Sequence, residues 1–153
     1  MKRFLFLATL VVLVAVTGHL VDGQQPTLKR QPTPQAVVDE HLAALNSCNW
    51  NRLMAQYPVD VEIFLPGGVV IKGRQAVGEM FRGFVKPVKE GGLCGLTFTS
   101  EHTTIVGSTV NVQWRATGEF LAAPYLGADA YETKDGLLQA QVTTFDGAQL
   151  KRK

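Results

Sequence analysis

Between Asn49 and Val85 the chain reads NWNRLMAQYPVDVEIFLPGGVVIKGRQAVGEMFRGFV, and its hydrophobic period passes from helical to alternating and back to helical. Trp50, Leu53, Met54 and Tyr57 repeat as one helix stripe, with Ser47 or Asn49 available as the cap and Pro58 as the stop. Val59, Val61, Ile63 and Leu65 then alternate with Asp60, Glu62 and Phe64, the pattern of a half-buried strand. Pro66-Gly67-Gly68 is short enough to fold Val69-Val70-Ile71 back as an antiparallel partner. From Arg74, Val77, Met80, Phe81 and Phe84 form a second helical stripe that must find a core. Helix, hairpin and helix so close together demand a mixed α+β corner.

The flanks extend that corner. Thr33-Pro34 is a helix start, with Thr as N-cap and Pro at the first helical position. That helix is predicted to run to about Leu45 and carries His41 at the border of its apolar face. After Gly91-Gly92, strands are predicted from Leu96 to Val106, from Thr109 to Phe120, from about Ala128 and from Leu137 to Phe145. Gly107-Ser108 and Lys134-Asp135-Gly136 are their turns, and Ala122 to Gly127 reads as an irregular link with an exposed Tyr125. On the third-from-last strand Val110, Val112, Trp114 and Ala116 share a face; on the next, Asp129, Tyr131 and Thr133 do. The expected fold is α+β, helices on one face of an antiparallel sheet.

With 153 residues, 46% of them hydrophobic, the chain supports one globular core, since a second would need roughly 50 to 100 residues more. A net charge of +2 without a basic stripe argues against nucleic acid as a partner. Lys2-Arg3, the apolar run Phe4 to Val16 and the small residues before Gln24 read as a cleavable signal peptide over 1–23. The apolar core is shorter than the ~20 residues of a membrane span, so no stable insertion is expected after cleavage. The mature chain is therefore expected to be secreted or periplasmic, with 24–33 as a disordered lead-in and 34–150 as the domain. In an oxidising compartment Cys48 and Cys94 are candidates for a disulfide, the alternative being two separately buried thiols. No spacing of His, Cys, Asp or Glu suits a metal, no phosphate loop occurs, and no cofactor is expected.

The runs NWNRLMAQYPVDVEIF, PGGVVIKGRQAVGEMFRGF and DAYETKDGLLQAQVTTF, with a Trp-bearing strand between the last two, resemble the nuclear transport factor 2-like superfamily in its SnoaL-like, polyketide cyclase-like branch. The resemblance spans about Pro34 to Leu150. It implies a cone-shaped bent sheet around three helices from the N-terminal half, a cystatin-like or α+β-barrel arrangement. The cone would hold a largely apolar cavity, and the chain would often dimerise through the outer sheet face. It does not imply one function, because the fold carries isomerases, dehydratases, epoxide hydrolases, cyclases and binding modules.

Laid against the ketosteroid isomerase branch, the general-base aspartate falls on Leu65, the oxyanion-hole tyrosine on His41 and the protonated aspartate on Asp129. Leu65 cannot abstract a proton, so that route is not expected. Nor does the Asp-Arg-Asp set of the epoxide hydrolase branch occur; Arg115 lies opposite Trp114 on its strand and should point outward. The residues assigned to the cup are Ile63, Leu65, Val112, Trp114 and Tyr131 as apolar wall, with Asp129 and with His41 near the opening. Trp114 can be plain core or a flat contact for a ring; Asp129 can be structural or a neutral hydrogen-bond donor; His41 can be helix-edge packing or a base.

Three functions follow. The first is an exported homodimer that binds a small apolar or aromatic molecule in the cone. The second is an isomerase, dehydratase or cyclase using Asp129 and His41 as acid and base. The third is a protein-interaction module working through Glu62, Phe64 and Gln113 on the outer sheet.

Overall fold

A computed structural model of the chain describes residues 25–145 and 149–153, so the expected signal peptide and the Asp146-Gly147 stop lie outside the described residues. The elements are α1 (Pro34–Asn46), α2 (Trp50–Met54), β1 (Glu62–Leu65), β2 (Val69–Lys72), α3 (Arg74–Phe84), β3 (Thr97–Val106), β4 (Thr109–Thr117), β5 (Tyr125–Lys134) and β6 (Leu137–Thr143). The Thr33 hydroxyl accepts from the Ala36 N–H at 3.1 Å and so caps α1. Asn49 does the same for α2, accepting from Arg52 at 2.9 Å. The two helices are clasped by a bidentate Arg52–Glu40 pair at 2.6 and 2.7 Å, and that hydrogen bonding holds the Glu40 carboxyl below its usual range.

The six strands form one sheet in the order β2-β1-β6-β5-β4-β3. β3 to β6 are an antiparallel meander, as their turns predict; Asp135 and Gly136 both take positive φ, the geometry a two-residue hairpin needs. β1 and β2 pair antiparallel across Pro66-Gly67-Gly68, where Gly67 and Gly68 both have positive φ. The expected all-antiparallel sheet is corrected at one ladder: β1 and β6 run parallel, with Ile63 opposite Gln141. Between them the chain crosses through α3 and starts the meander at the far edge, so the last strand reaches β1 in the same direction. The sheet is not closed; β2 and β3 are its edges.

Register shifts between Ser100 and His102 and between Glu132 and Thr133 interrupt the two outer ladders of the meander, where an extra residue bends a strand. The helices fill the inner face. Val37, Val38, Leu53, Met54 and Val77 are fully buried there against Val61, Val110 and Leu138. Val59, expected on that inner face, instead lies in the turn before β1 and is 81% exposed; its carbonyl accepts the Arg74 N–H. The segment 25–33 has no regular structure but is held at several points, through Lys29 N–H to Ala55 O (2.8 Å), Gln31 N–H to Gly136 O (2.9 Å) and Arg74 to Pro26 O. The side chains of the basic tail are exposed as expected, while its backbone pairs with the chain at Phe120 to Ala122.

Candidate functional site

Inside the cone is a cavity of about 290 Å³, at the small end of ligand-sized cavities. Its mouth is rimmed by half-buried apolar side chains: Leu45 at the end of α1, Met80 and Phe84 on α3, Leu93, Phe145 and Leu150. Its inner end is formed by Ile63, Phe81 and Trp114 with the polar groups of His41, Asp129 and Gln141. The α3 stripe supplies two of these aromatic walls because positions 81 and 84 both turn toward the sheet.

Of the residues assigned from sequence, Ile63, Leu65, Trp114, Asp129 and His41 line the cavity. Val112 and Tyr131 lie on the inner face but are packed in the core behind it and do not line the space. Tyr131 is covered by the His41 ring, 5.4 Å between centroids, and its hydroxyl turns to Asp129. His41 is not near the opening: it is 1% exposed, ringed by Tyr57, Phe81 and Tyr131. Tyr125 is not exposed either. It begins β5 opposite Ala116, which turns its ring inward to within 5.7 Å of Trp114, at the cavity wall.

A hydrogen-bonded chain joins the polar groups. His41 Nδ1 meets the Tyr57 hydroxyl at 3.2 Å, and Tyr57 donates to Gln141 Oε1 at 3.4 Å. Gln141 Nε2 donates to Asp129 Oδ2 at 3.3 Å, and the Tyr131 hydroxyl donates to the same oxygen at 2.8 Å. Since Tyr57 gives its proton to Gln141, the consistent histidine tautomer carries its hydrogen on Nδ1. Burial drives the His41 pKa down to about 3, so the ring is neutral at pH 7 and a very weak base. Burial also raises Asp129 above the usual carboxylate range, opposed by its polar neighbours Thr143, Tyr131, Trp114 and Gln141. Burial likewise pushes both tyrosine hydroxyls well above their ordinary value, so neither ionises.

Asp129 Oδ1 and the Trp114 indole Nε1 are both buried at this end. Hydrogen bonding to the carboxyl from Trp114 and Thr143, as from Tyr131 and Gln141, opposes the effect of burial. Asp129 and His41 are not bonded to each other; Tyr57 and Gln141 stand between them. The sequence shows Tyr57 only as part of a helical repeat, and on β6 it points the wrong way: Leu138, Ala140 and Val142 alternate with Gln139, Gln141 and Thr143, yet Gln141 and Thr143 are the buried cavity residues while Val142 is 43% exposed.

Outside the cone, Arg115 points outward and pairs with Glu101, and Glu62 pairs with Lys72 at 2.8 Å. His102 is exposed. Cys48 and Cys94 are joined by a disulfide, with Cα atoms 5.5 Å apart, and Cys48 borders the cavity. Among the described residues no helix is long and apolar enough to cross a membrane, and no group of His, Cys, Asp and Glu is arranged to hold a metal ion.

A family model described as a SnoaL-like domain matches residues 38–141. Solved structures share the fold at low identity. An NTF2-like protein of unknown function from Cytophaga hutchinsonii superposes with a TM-score of 0.61 at 15% identity, covering 79% of this chain and 96% of its own. The epoxide hydrolase/cyclase-like enzyme SalBIII, of pyran ring formation in the polyether salinomycin, gives 0.63 at 16% identity, covering 78% and 95%. A computationally designed 17-OHP binder gives 0.62 at 19% identity, covering 79% and 99%. A search of curated proteins finds no significant match.

Proposed function

The chain belongs to the SnoaL-like domain family, and on that premise we propose that it is an exported protein that binds a small, mostly apolar molecule in its cone. The observation that carries this reading is the cavity itself: about 290 Å³, rimmed by apolar side chains, with a polar cluster only at its inner end. An apolar molecule there would remove the surfaces of Phe84, Leu93 and Phe98 from water as well as its own, at about 25 cal/mol per Å². A structural relative that is a designed 17-OHP binder is consistent with the fold holding such a guest. The Cys48–Cys94 disulfide supports an oxidising, exported location.

The neutral dye N-phenyl-1-naphthylamine tests the reading. Its fluorescence should rise on binding to the mature protein, and Leu65→Trp, which fills the cavity, should abolish the rise. Equal enhancement by both proteins would put the dye on the surface and defeat the proposal.

Catalysis is the second reading, favoured by one observation, the buried carboxyl of Asp129 with its raised pKa. His41 does not serve it as a base, because its pKa of about 3 leaves too little proton affinity. An enzyme built on this cup would work through Asp129 alone. Asp129→Asn would then end turnover while ligand still bound.

For self-association, the outer face offers Val70, Phe64 and Val142 in one register row across β2, β1 and β6, with Val70 and Val142 exposed. Homodimerisation there is part of the proposal. Light scattering should show a dimer for the wild type and a monomer for Val142→Lys; a wild-type monomer would remove it.

A further inference from the structure

We propose that the guest of the cone is an anionic amphiphile, with its apolar body in the cavity and its anionic head outside, held by a basic collar beyond the apolar rim. This rests on the reading that the cavity holds an apolar molecule, and adds the chemistry of the guest's other end. Two stretches of chain meet at the mouth. One is the loop after α3, where Val85, Leu93 and Leu96 line the cavity; the other is the segment 149–153, where Leu150 does. Each carries cations close in sequence to those lining residues: Lys86 and Lys89 on the first, Lys151, Arg152 and Lys153 on the second, all five exposed.

Close contacts join the two stretches into one patch. The Cys94 N–H donates to Lys86 O at 3.0 Å, and Gly92 lies so near Lys86 that a Cβ there would strike its carbonyl. A Cβ on Gly95, next in the chain, would touch the ring of Phe120. The Phe120 carbonyl accepts the Lys153 N–H at 3.0 Å, the Ala122 N–H donates to Lys151 O at 2.9 Å, and the Arg152 guanidinium stands 5.9 Å from the Phe120 ring centroid. In these stretches and the 118–122 link, five cationic side chains are set against two carboxylates, Glu90 and Glu119, an excess of three where the whole chain carries +2. On α3, Glu79 and Arg82 flank the rim residue Met80 and cancel. Positive charge is thus gathered where the cavity opens.

The interior sets the orientation. Among the described residues no Lys or Arg lines the cavity, and Asp129 is its one carboxyl. An anion driven to the inner end would lose its hydration with no cation to replace it, a large cost that nothing there offsets. An anionic head is therefore stable only outside, among the lysines, while the chain fills the apolar part. A cationic head in the same place is repelled. Exposed charges act weakly one by one and are screened by salt, so the preference is a sum over several of them and should fade as ionic strength rises.

The test uses the mature protein and one chain with three heads, decanoate, 1-decanol and decylamine, each displacing N-phenyl-1-naphthylamine near neutral pH. In about 20 mM salt decanoate should bind about tenfold tighter than decylamine, the sum of a few exposed charge pairs, and about 500 mM salt should shrink that ratio to about twofold. Lys86→Glu with Lys151→Glu should bring the low-salt ratio to about one or below, and Lys86→Arg with Lys151→Arg should keep it. The ratio isolates the head group, because 1-decanol should bind all three proteins alike. Decylamine binding the wild type as tightly as decanoate, or a ratio unchanged by the glutamate pair, would overturn the basic collar while leaving the cavity reading intact. Failure of all three guests to displace the dye would defeat the cavity reading itself.

Discussion

Trp114 on β4 lies directly opposite Gly127 on β5, and the indole occupies the space a side chain at 127 would need. A Cβ there would overlap the six-membered ring of the indole. The absence of a side chain at 127 thus sets where Trp114 lies and, with it, where its N–H sits at the cavity's inner end.

Gly127→Ala should therefore push the indole off its strand. Overpacking of this kind costs about 1–3 kcal/mol. The expected result is a lower urea midpoint, an altered near-ultraviolet circular dichroism spectrum and weaker dye binding. A variant with wild-type stability and spectrum would show that the ring has room to move.

His41 predicts an acid-sensitive fold. Its folded pKa of about 3 lies below the ordinary 6.5, so the unfolded chain takes up a proton first as pH falls. Its stabilising contribution is complete above pH 6.5 and is lost progressively toward the folded value. Between about pH 6.5 and 4.5 the loss should be on the order of 2–3 kcal/mol. Urea unfolding of wild type and His41→Gln across that range should show a steeper slope for the wild type; parallel slopes would refute neutral burial.

Asp129 has the opposite sign. Its folded pKa is raised by burial, so its contribution is complete below the ordinary Asp value and is lost as pH rises through the folded one. Relative to wild type, Asp129→Asn should gain stability as pH rises through that window and hold the gain above it. The difference between the two urea midpoints measured against pH isolates this group from the other carboxyls. A difference that does not change with pH would mean the carboxyl titrates alike in both states.

Reduction of Cys48–Cys94 should destabilise the fold by about 4 kcal/mol, from a loop with a sequence separation of 46. Urea midpoints with and without a reducing agent measure it, and Cys48→Ser with Cys94→Ser should match the reduced protein. A reduced protein as stable as the oxidised one would show that the bridge adds nothing.

Tyr57→Phe removes the hydroxyl that joins His41 to Gln141 and leaves two buried groups short of a partner. The expected cost is about 1–3 kcal/mol, read by urea unfolding. A neutral result would mean that the two groups find other partners.

Local chemistry was legible in the sequence. Thr33 and Asn49 as caps, Pro66-Gly67-Gly68 and Asp135-Gly136 as turns, the α3 stripe and the alternation of Val110, Val112 and Trp114 all act within a few residues, so their period and turn residues state them directly. That determined the elements, their order and the inner faces of β4 and β5. What only the tertiary structure decided depends on pairs far apart in the chain. The parallel β1–β6 ladder, the bridge from His41 through Tyr57 to Gln141, and the seat that Gly127 gives Trp114 leave no periodic trace, because each is set by how separate elements close on one another. Burial follows the same rule: the sequence put His41 at the edge of a helix face, and only packing by Tyr57, Phe81 and Tyr131 made it a neutral, fully enclosed ring.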